Sequence, residues 1–489
     1  MDPQGHSPVV IFYTDNGLGL GHLTRQAAVA SRAEGAFQPL FLTMSAGFTL
    51  LRSLGIPGEY FPSYGRLGME RRQWEPLMAE RLLEAIDLTG ASVVVVDHVS
   101  PPRILGSLRE QIPHVQLVWS RRGLWQPGKN RGVEGLGENF DVVVEPGDLA
   151  SPIDQGATVA VRQETIPISP VIMIDPDEMP SRGEARERLG IPSRGRAILV
   201  SLGDADPSEI GNLISHTRLV VDSVSPDQIH LFAPLHPLHG DRIPEAKGVD
   251  MRAVYPISRY FNAFDGAIST AGYNSFHEIV ASGLPAVFVP HQGAAIDDQA
   301  RRAEFAALCG RAHWAPDVYS DEFNAAVARM LRTGEVDVAR KTTTILGEMR
   351  GAYEFAAFLA DLARISAPAA DQTASAPPPM TRSKVEPHRE RLVNVLDHDD
   401  DQLRDVALSM RGTEVDRSVF VVRDGNPKPI YDMGGVFESV LTGREWASVG
   451  RHDYTNYIET RLAGITRRYD TSRIIAPQPE TTHRTRSDA

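Results

Sequence analysis

Nine short runs in which nearly every residue is apolar, most separated by stretches with helical character, constrain this chain more than any other feature. VVIFYT (9–14), PLFLTM (39–44), SVVVVD (92–97), VQLVWS (115–120) and DVVVEP (141–146) come first. A strand with one face in water alternates apolar and polar residues, whereas a strand covered on both faces is apolar throughout. Between the runs lie LTRQAAVASRAE and EPLMAERLLEAIDL, which fit helices. Strand, helix, strand in repetition predicts a doubly wound parallel α/β sheet.

The alternation pauses at RQETIPISPVIMIDPDEMPSRG (162–183), whose four prolines mark an interdomain connection. It restarts with AILVSLG (197–203), QIHLFAP (228–234), GAIST (266–270) and PAVFVP (285–290). Two similar units in tandem are therefore expected, residues 1–165 and 166–365. Residues 366–390 are rich in Pro, Ala and Ser and fit a flexible linker. A small α+β module is expected over 391–475, with SVFVVRDGNPKPIYDM as a hairpin around DGNP. Residues 476–489 are expected to be a disordered tail.

Composition matters for what it excludes. A chain of 489 residues exceeds one ordinary core. A formal charge of −13 argues against nucleic acid as a partner and against broad adhesion to anionic membranes. The single cysteine, Cys309, rules out a disulfide framework and a cysteine zinc site; its segment RRAEFAALCG predicts a buried thiol. No apolar run reaches the ~18 residues of a membrane span. The start MDPQGHSPVV lacks the features of a signal peptide, so the expected location is cytoplasmic.

The first candidate site is TDNGLGLGHLTRQ (14–26). Its glycines follow the first strand and open the first helix, the place where α/β folds bind ligands. Gly17, Gly19 and Gly21 form G-x-G-x-G, which is neither a dinucleotide fingerprint nor a P-loop. Thr43 and Ser45 stand near the end of the second strand, where a ribose-binding acid would be. NAD and ATP are therefore disfavoured. His22 lies in the first helical turn with Arg25 one turn on; both the helix dipole and that charge disfavour the imidazolium, which suits a proton acceptor.

The second is FDGAISTAGYNSFHEIVASGLPAVFVPHQGAAIDDQARRAEF (264–305). A strand ending at Ser269 and Thr270, a turn at Ala271 and Gly272, and a helix from about Asn274 offer backbone N–H groups to a phosphate. Glu278, further along that helix, is placed for the vicinal hydroxyls of a ribose. After the next strand, Asp297, Asp298 and Gln299 suit a hydroxyl-rich ligand; taken singly, the aspartates also fit a helix cap.

In order and spacing these motifs resemble GT-B glycosyltransferases, most closely family 28, which includes the lipid II-forming N-acetylglucosaminyltransferase and the diacylglycerol glucosyltransferases. The matching residues are Ser269–Gly272, Glu278, Gly283–Leu284–Pro285, Val287–Pro290 and Gln299, with GLGLGHLTR as the N-terminal glycine loop. A close variant of both motifs also occurs in a group of predicted bacterial glycosyltransferases. The resemblance spans about residues 8–365. It implies GT-B architecture, two Rossmann-like domains facing a cleft, and a UDP-sugar co-substrate with no other cofactor and no metal. It also implies inverting transfer to a hydroxyl acceptor, which is left open as a small molecule, lipid or glycan.

Carried over residue by residue, Gly19, Gly21, Gly272, Tyr273 and Asn274 would surround the diphosphate. Glu278 would meet the ribose, Tyr255 and Ile257 the base, and Asp298 and Gln299 the sugar. Gly203, in SLGDADP (201–207), occupies the place of a second glycine loop, which here departs from the family by carrying Asp204 and Asp206. His22 is the implied base, with Asp97 and His98 in reserve. Two rival readings stand beside this one: a UDP-sugar hydrolase of the pseudaminic-acid-synthesis type, and a non-catalytic GT-B binding partner. The loop SRRGLWQPGKNRG (120–132) weighs against the hydrolase if it is an acceptor or peripheral-membrane patch; the alternative is a solvated basic turn with one packed Trp. VLDHDDD (395–401) is expected to be an acidic helix start capped by Asp399 or Asp400, not a metal site.

Overall fold

The computed structural model describes residues 7–14, 20–129, 131–203, 207–235, 246–291, 296–332, 349–366, 389, 391–410, 415, 418–423, 427–471 and 473–475. Its first sheet comprises β1 (Val9–Thr14), β2 (Gln38–Thr43), β3 (Gly58–Tyr60), β4 (Val93–Asp97), β5 (Gln116–Ser120), β6 (Val142–Pro146) and β7 (Ile166–Ile168). They are ordered β3-β2-β1-β4-β5-β6-β7, and all pair parallel. The valines of β4 are fully buried, as a central strand under two helical layers requires. The order reverses between β1 and β4, so the crevice beyond their carboxyl ends is the natural ligand position.

The second sheet holds β8 (Arg196–Ser201), β9 (Ile229–Leu235), β10 (Val249–Ala253), β11 (Gly266–Ser269), β12 (Ala286–Phe288) and β13 (His313–Trp314), ordered β10-β9-β8-β11-β12-β13 and again parallel. The tandem α/β units are therefore present, with GT-B architecture.

Their boundaries differ from expectation in two places. Strand β7 lies inside the proline-rich connection yet pairs with β6, because its backbone is extended and its one proline, Pro167, sits at a sheet edge. The helix Gly351–Ile365 ends the second unit in sequence but packs on the first domain: Phe355, Ala356 and Leu359 share a core with Val10, Phe12 and Leu23.

The C-terminal module is α/β instead of α+β. Strands β14 (Arg391–Asn394), β15 (Ser418–Val422), β16 (Val436–Ser439) and β17 (Arg473–Ile475) form a parallel sheet ordered β16-β15-β14-β17. The expected hairpin is absent: a short helix, Lys428–Asp432, stands between β15 and β16 and lets the chain return in the same direction. Asp399 does cap the helix Asp400–Ser409, accepting the Gln402 N–H. Most of the expected linker (367–388 and 390) and the tail 476–489 lie outside the described residues.

The module shares a core with the first domain. Leu392, Val419, Val436 and Ile465 belong to the same apolar cluster as Ile11, Leu42 and Val94. Tyr60 of β3 stacks on Phe437 of β16 at 4.3 Å between ring centroids, and its N–H donates to Ser439 Oγ. Beside this contact Arg461 is fully buried and reaches Glu59 (2.9 Å), Glu84 (2.5 Å) and Glu438 (2.9 Å). Arg468 joins Glu84 and Glu438, and Arg81 joins Glu59, so three guanidinium groups balance three carboxylates.

Cys309 corrects another expectation. It follows the helix Gln299–Leu308, whose buried face is Arg302, Ala303 and Ala306, and it falls off that face into solvent as an exposed free thiol.

Candidate functional site

The helix Gly21–Ala30 starts directly after the glycine loop and carries His22, Arg25 and Gln26 at spacings that share one face. All three converge on Asp97, the last residue of β4. Asp97 Oδ1 lies 2.7 Å from His22 Nδ1. Arg25 Nη2 donates to both Asp97 oxygens at 2.6 and 2.7 Å, and Gln26 Nε2 donates to Oδ2 at 2.6 Å and to Ser120 Oγ at 2.9 Å. Burial alone would push the Asp97 carboxyl up; the charge of Arg25 and the His22 contact outweigh it and hold it well below the usual range. An ionised Asp97 can only accept, so His22 donates to it from Nδ1, and in the neutral ring the lone pair then lies on Nε2. Nε2 has no hydrogen-bond partner among the described residues.

Asp97 itself is 1% exposed and saturated with donors, so it orients His22 and is not a base in reserve. His98 uses Nδ1 to accept the Ser100 N–H, which commits one ring nitrogen to the local turn. Arg25, expected to bear on His22, grips Asp97 with the same Nη2 that lies 3.3 Å from His22 Nδ1.

Across the cleft, Gly272 is the N-cap of the helix Tyr273–Ser282 and supplies no side-chain cap. Asn274 Nδ2 donates to the Gly21 carbonyl at 3.1 Å, so the two helix starts face each other at hydrogen-bond distance. Gly272 has φ −62°, open to any residue, and a Cβ there would meet only Gln299 Nε2, at 3.8 Å. A Cβ on Gly21 would meet nothing within 4 Å. Neither backbone conformation nor protein packing calls for glycine at these positions. Gly203 differs: its φ of +90° needs glycine, and it sits beside Thr270. Gly19, Asp204 and Asp206 lie outside the described residues.

Glu278 is buried, with Oε1 accepting the Met173 N–H at 3.2 Å; burial pushes its carboxyl up to about 7. The Tyr255 hydroxyl is 3.0 Å from Thr24 Oγ1 of the first domain, and burial pushes it up to about 12. Ile257 packs against the second domain's core. Gln299 Oε1 accepts the His291 N–H at 3.0 Å, which leaves its amide nitrogen beside Gly272.

Three expected contact residues are committed elsewhere. Ser269 is fully buried and donates to the Thr270 carbonyl. Asp298 caps the helix Gln299–Leu308 by accepting the Arg301 N–H at 3.1 Å. Tyr273 is buried in the seam between domains, its hydroxyl donating to the Gly147 carbonyl at 2.8 Å and accepting the Val171 N–H at 3.0 Å.

That seam was not foreseen. Arg302 joins Asp148 of the first domain (2.7 Å) and Asp297 of its own (2.6 Å), and Arg122 of the first domain reaches Asp297 at 3.1 Å. Arg25, Arg122 and Arg302 all lie within 6 Å of the Tyr273 ring centre, at 5.3, 5.8 and 5.7 Å. Below them His277 donates from Nδ1 to the Tyr273 carbonyl and accepts the Leu149 N–H on Nε2; burial pushes it down to about 4, which keeps it neutral. In the sequence Arg302 is one charge on an amphipathic helix and Asp148 one residue of a turn, with nothing to join them.

The loop expected as an acceptor or membrane patch is part of this seam. Arg121 is buried against Glu145, and Trp125 is 1% exposed. Trp125 bridges antiparallel to Asp297, Gln126 N–H donates to the Ile296 carbonyl, and Asp298 N–H donates to the Leu124 carbonyl. Trp125 and Arg122 face the second domain, whereas Arg121 is spent within the first, on Glu145 and the Val161 carbonyl.

Among the described residues no cluster of His, Cys, Asp and Glu could hold a metal, and no helix is long and apolar enough to cross a membrane. The cleft thus sets the His22 ring on one wall against a helix N-terminus on the other, the end of a helix where an anion is favoured. No family model and no curated protein matches this chain. Solved structures do. The glycotransferase of kitacinnamycin aligns over 73% of this chain and 99% of its own, at 14% identity and a TM-score of 0.52. The spinosyn forosaminyltransferase SpnP aligns over 74% of this chain and 100% of its own, at 13% identity and a TM-score of 0.50. These likenesses establish the fold and leave about a quarter of the chain outside it.

Proposed function

We propose that this chain is a glycosyltransferase that moves a sugar from a nucleoside-diphosphate carrier, a UDP-sugar, to a hydroxyl acceptor with inversion and without a metal. The observation that carries the reading is the opposition of two features across the Asn274–Gly21 contact: a His22 oriented by an ionised Asp97, and two helix starts where, among the described residues, a Cβ on either glycine would meet no close atom. The fold shared with two glycosyltransferases agrees with it.

In this reading the acceptor hydroxyl gives its proton to His22 Nε2 as its oxygen bonds to the anomeric carbon. The bond from that carbon to the diphosphate breaks, and UDP leaves with the electron pair. The helix that begins at Tyr273 stabilises the charge that develops. Glu278 receives the ribose hydroxyls, Tyr255 and Ile257 border the base, and the Gln299 amide meets the sugar. Hydrolysis, with water as acceptor, is the second reading. Burial of Arg121 and Trp125, which takes both out of any acceptor surface, favours it. The oriented His22 speaks against a purely binding role.

The test is thermal stability with UDP, TDP, GDP, ADP and NAD, for the wild type and Gly272→Ala. A ligand at 100 times its Kd adds about 2.7 kcal/mol. UDP or TDP is expected to stabilise selectively. Gly272→Ala should melt like the wild type when alone, because its Cβ meets only an ordinary contact. It should bind UDP about tenfold more weakly, a difference of about 1.4 kcal/mol. No nucleotide shift in the wild type would remove the reading.

A further inference from the structure

Six charges form the seam beside the cleft: Arg25, Arg122 and Arg302 against Asp97, Asp148 and Asp297. They sum to zero, but their satisfaction is uneven. Arg25 grips both oxygens of Asp97, and Arg302 is shared between Asp148 and both oxygens of Asp297. Among the described residues Arg122 makes one hydrogen bond, 3.1 Å from Nη1 to an Asp297 oxygen that Arg302 already holds at 2.6 Å. The side chains of Arg25, Asp97, Arg302 and Asp148 are 2% exposed or less, whereas Arg122 and Asp297 are 14% and 15% exposed. The outer edge of the cluster is thus one under-used guanidinium, carried by the loop after β5 and lying 5.8 Å from the ring of the residue that follows Gly272.

We propose that Arg122 receives the diphosphate of the nucleotide, reaching from the first domain to a group held in front of the second domain's helix. The inference rests on the donor site described above and adds to it a cation that the motifs did not single out for this role. A guanidinium fork matches phosphate oxygens in pairs, and a dianionic diphosphate answers a guanidinium that, among the described residues, only shares the Asp297 that Arg302 holds. Burial, with Arg25 and Arg302 alongside, already disfavours the charge on Arg122, although Asp297 opposes this. Asp297 stays doubly bonded to Arg302 when Arg122 turns away, so the seam persists.

The experiment measures the affinities of UDP and uridine for the wild type, Arg122→Met and Arg122→Lys. Arg122→Met should weaken UDP about 10- to 100-fold, the loss of hydrogen bonds to a charged group. Uridine affinity should stay unchanged, and Arg122→Lys should recover part of the loss. A UDP affinity within threefold of the wild type in Arg122→Met would overturn the assignment while leaving the donor site intact. Equal losses for UDP and uridine would overturn it in favour of a structural role. A wild type that binds neither ligand would remove the donor site itself.

Discussion

Asp97→Asn is expected to slow turnover of the sugar nucleotide by about 10³- to 10⁴-fold and to leave UDP affinity unchanged. The expected size is that seen when the aspartate of a Ser-His-Asp triad becomes asparagine and the imidazole takes the wrong tautomer. Here Asp97 receives His22, Arg25 and Gln26. An amide in its place presents an N–H to His22 Nδ1, which moves the ring proton to Nε2 and removes the lone pair from the cleft. The substitution also leaves Arg25 buried without its counter-charge, at a cost of about 3–5 kcal/mol of stability. Rates are therefore compared per folded molecule. The ¹⁵N shifts of the His22 ring separate the two effects: a change of tautomer marks the orienting role, and an unchanged tautomer with an unchanged rate would refute it. His22→Ala and the double variant should fall to a similar floor, since residues that act as a unit are not additive.

The second large effect lies far from the chemistry. Arg461→Met should destabilise the protein by about 3–5 kcal/mol, because it leaves Glu59, Glu84 and Glu438 buried with one guanidinium fewer. Adding Glu84→Gln should restore part of the loss, a coupling that urea unfolding of the single and double variants will show. The same network sets an acid limit. Burial would raise the Glu84 carboxyl, but Arg468, Arg461 and Arg81 hold it down to about 2. A carboxyl depressed in the folded state stabilises above its unfolded value of about 4.3, and this stability is lost as pH falls toward 2. Unfolding midpoints should therefore drop over that interval, and Glu84→Gln should flatten the drop. Arg461→Met melting like the wild type would show that the module's packing does not depend on this network.

The sequence revealed most where one residue type does one local job. The valines of β4 mark a central strand, Asp399 marks a helix start, and Gly272 before an apolar helix marks a cap. Edge elements were harder. The strand Val249–Ala253 reads VDMRA and is half in water, and Ile166–Ile168 hides among prolines, so neither has the apolar continuity of a covered strand. Of the cleft, the placement of His22 and Gly272 at helix starts after strands was legible, because a glycine-containing turn between a strand and a helix is local in sequence. The partners of His22 at positions 25 and 26, and the role of Asp97 as their common acceptor, depend on which strand end lies beside the helix. The seam was illegible for the same reason at longer range: Arg302 and Asp148 are distant in sequence and individually ordinary. Motif position alone points Tyr273 at a ligand, yet its ring is buried between domains; Trp125, left open between an exposed patch and a packed side chain, is packed.

The central claim, that His22 and the helix after Gly272 act on opposite sides of one anomeric carbon, is tested most directly by release of UDP from a panel of UDP-sugars, with the wild type and His22→Asn side by side. The wild type should release UDP from at least one sugar, slowly when water is the only acceptor. His22→Asn should do so about 10²- to 10⁴-fold more slowly with the same UDP affinity. Equal rates in the two proteins, or tight UDP binding with no release from any sugar, would contradict it.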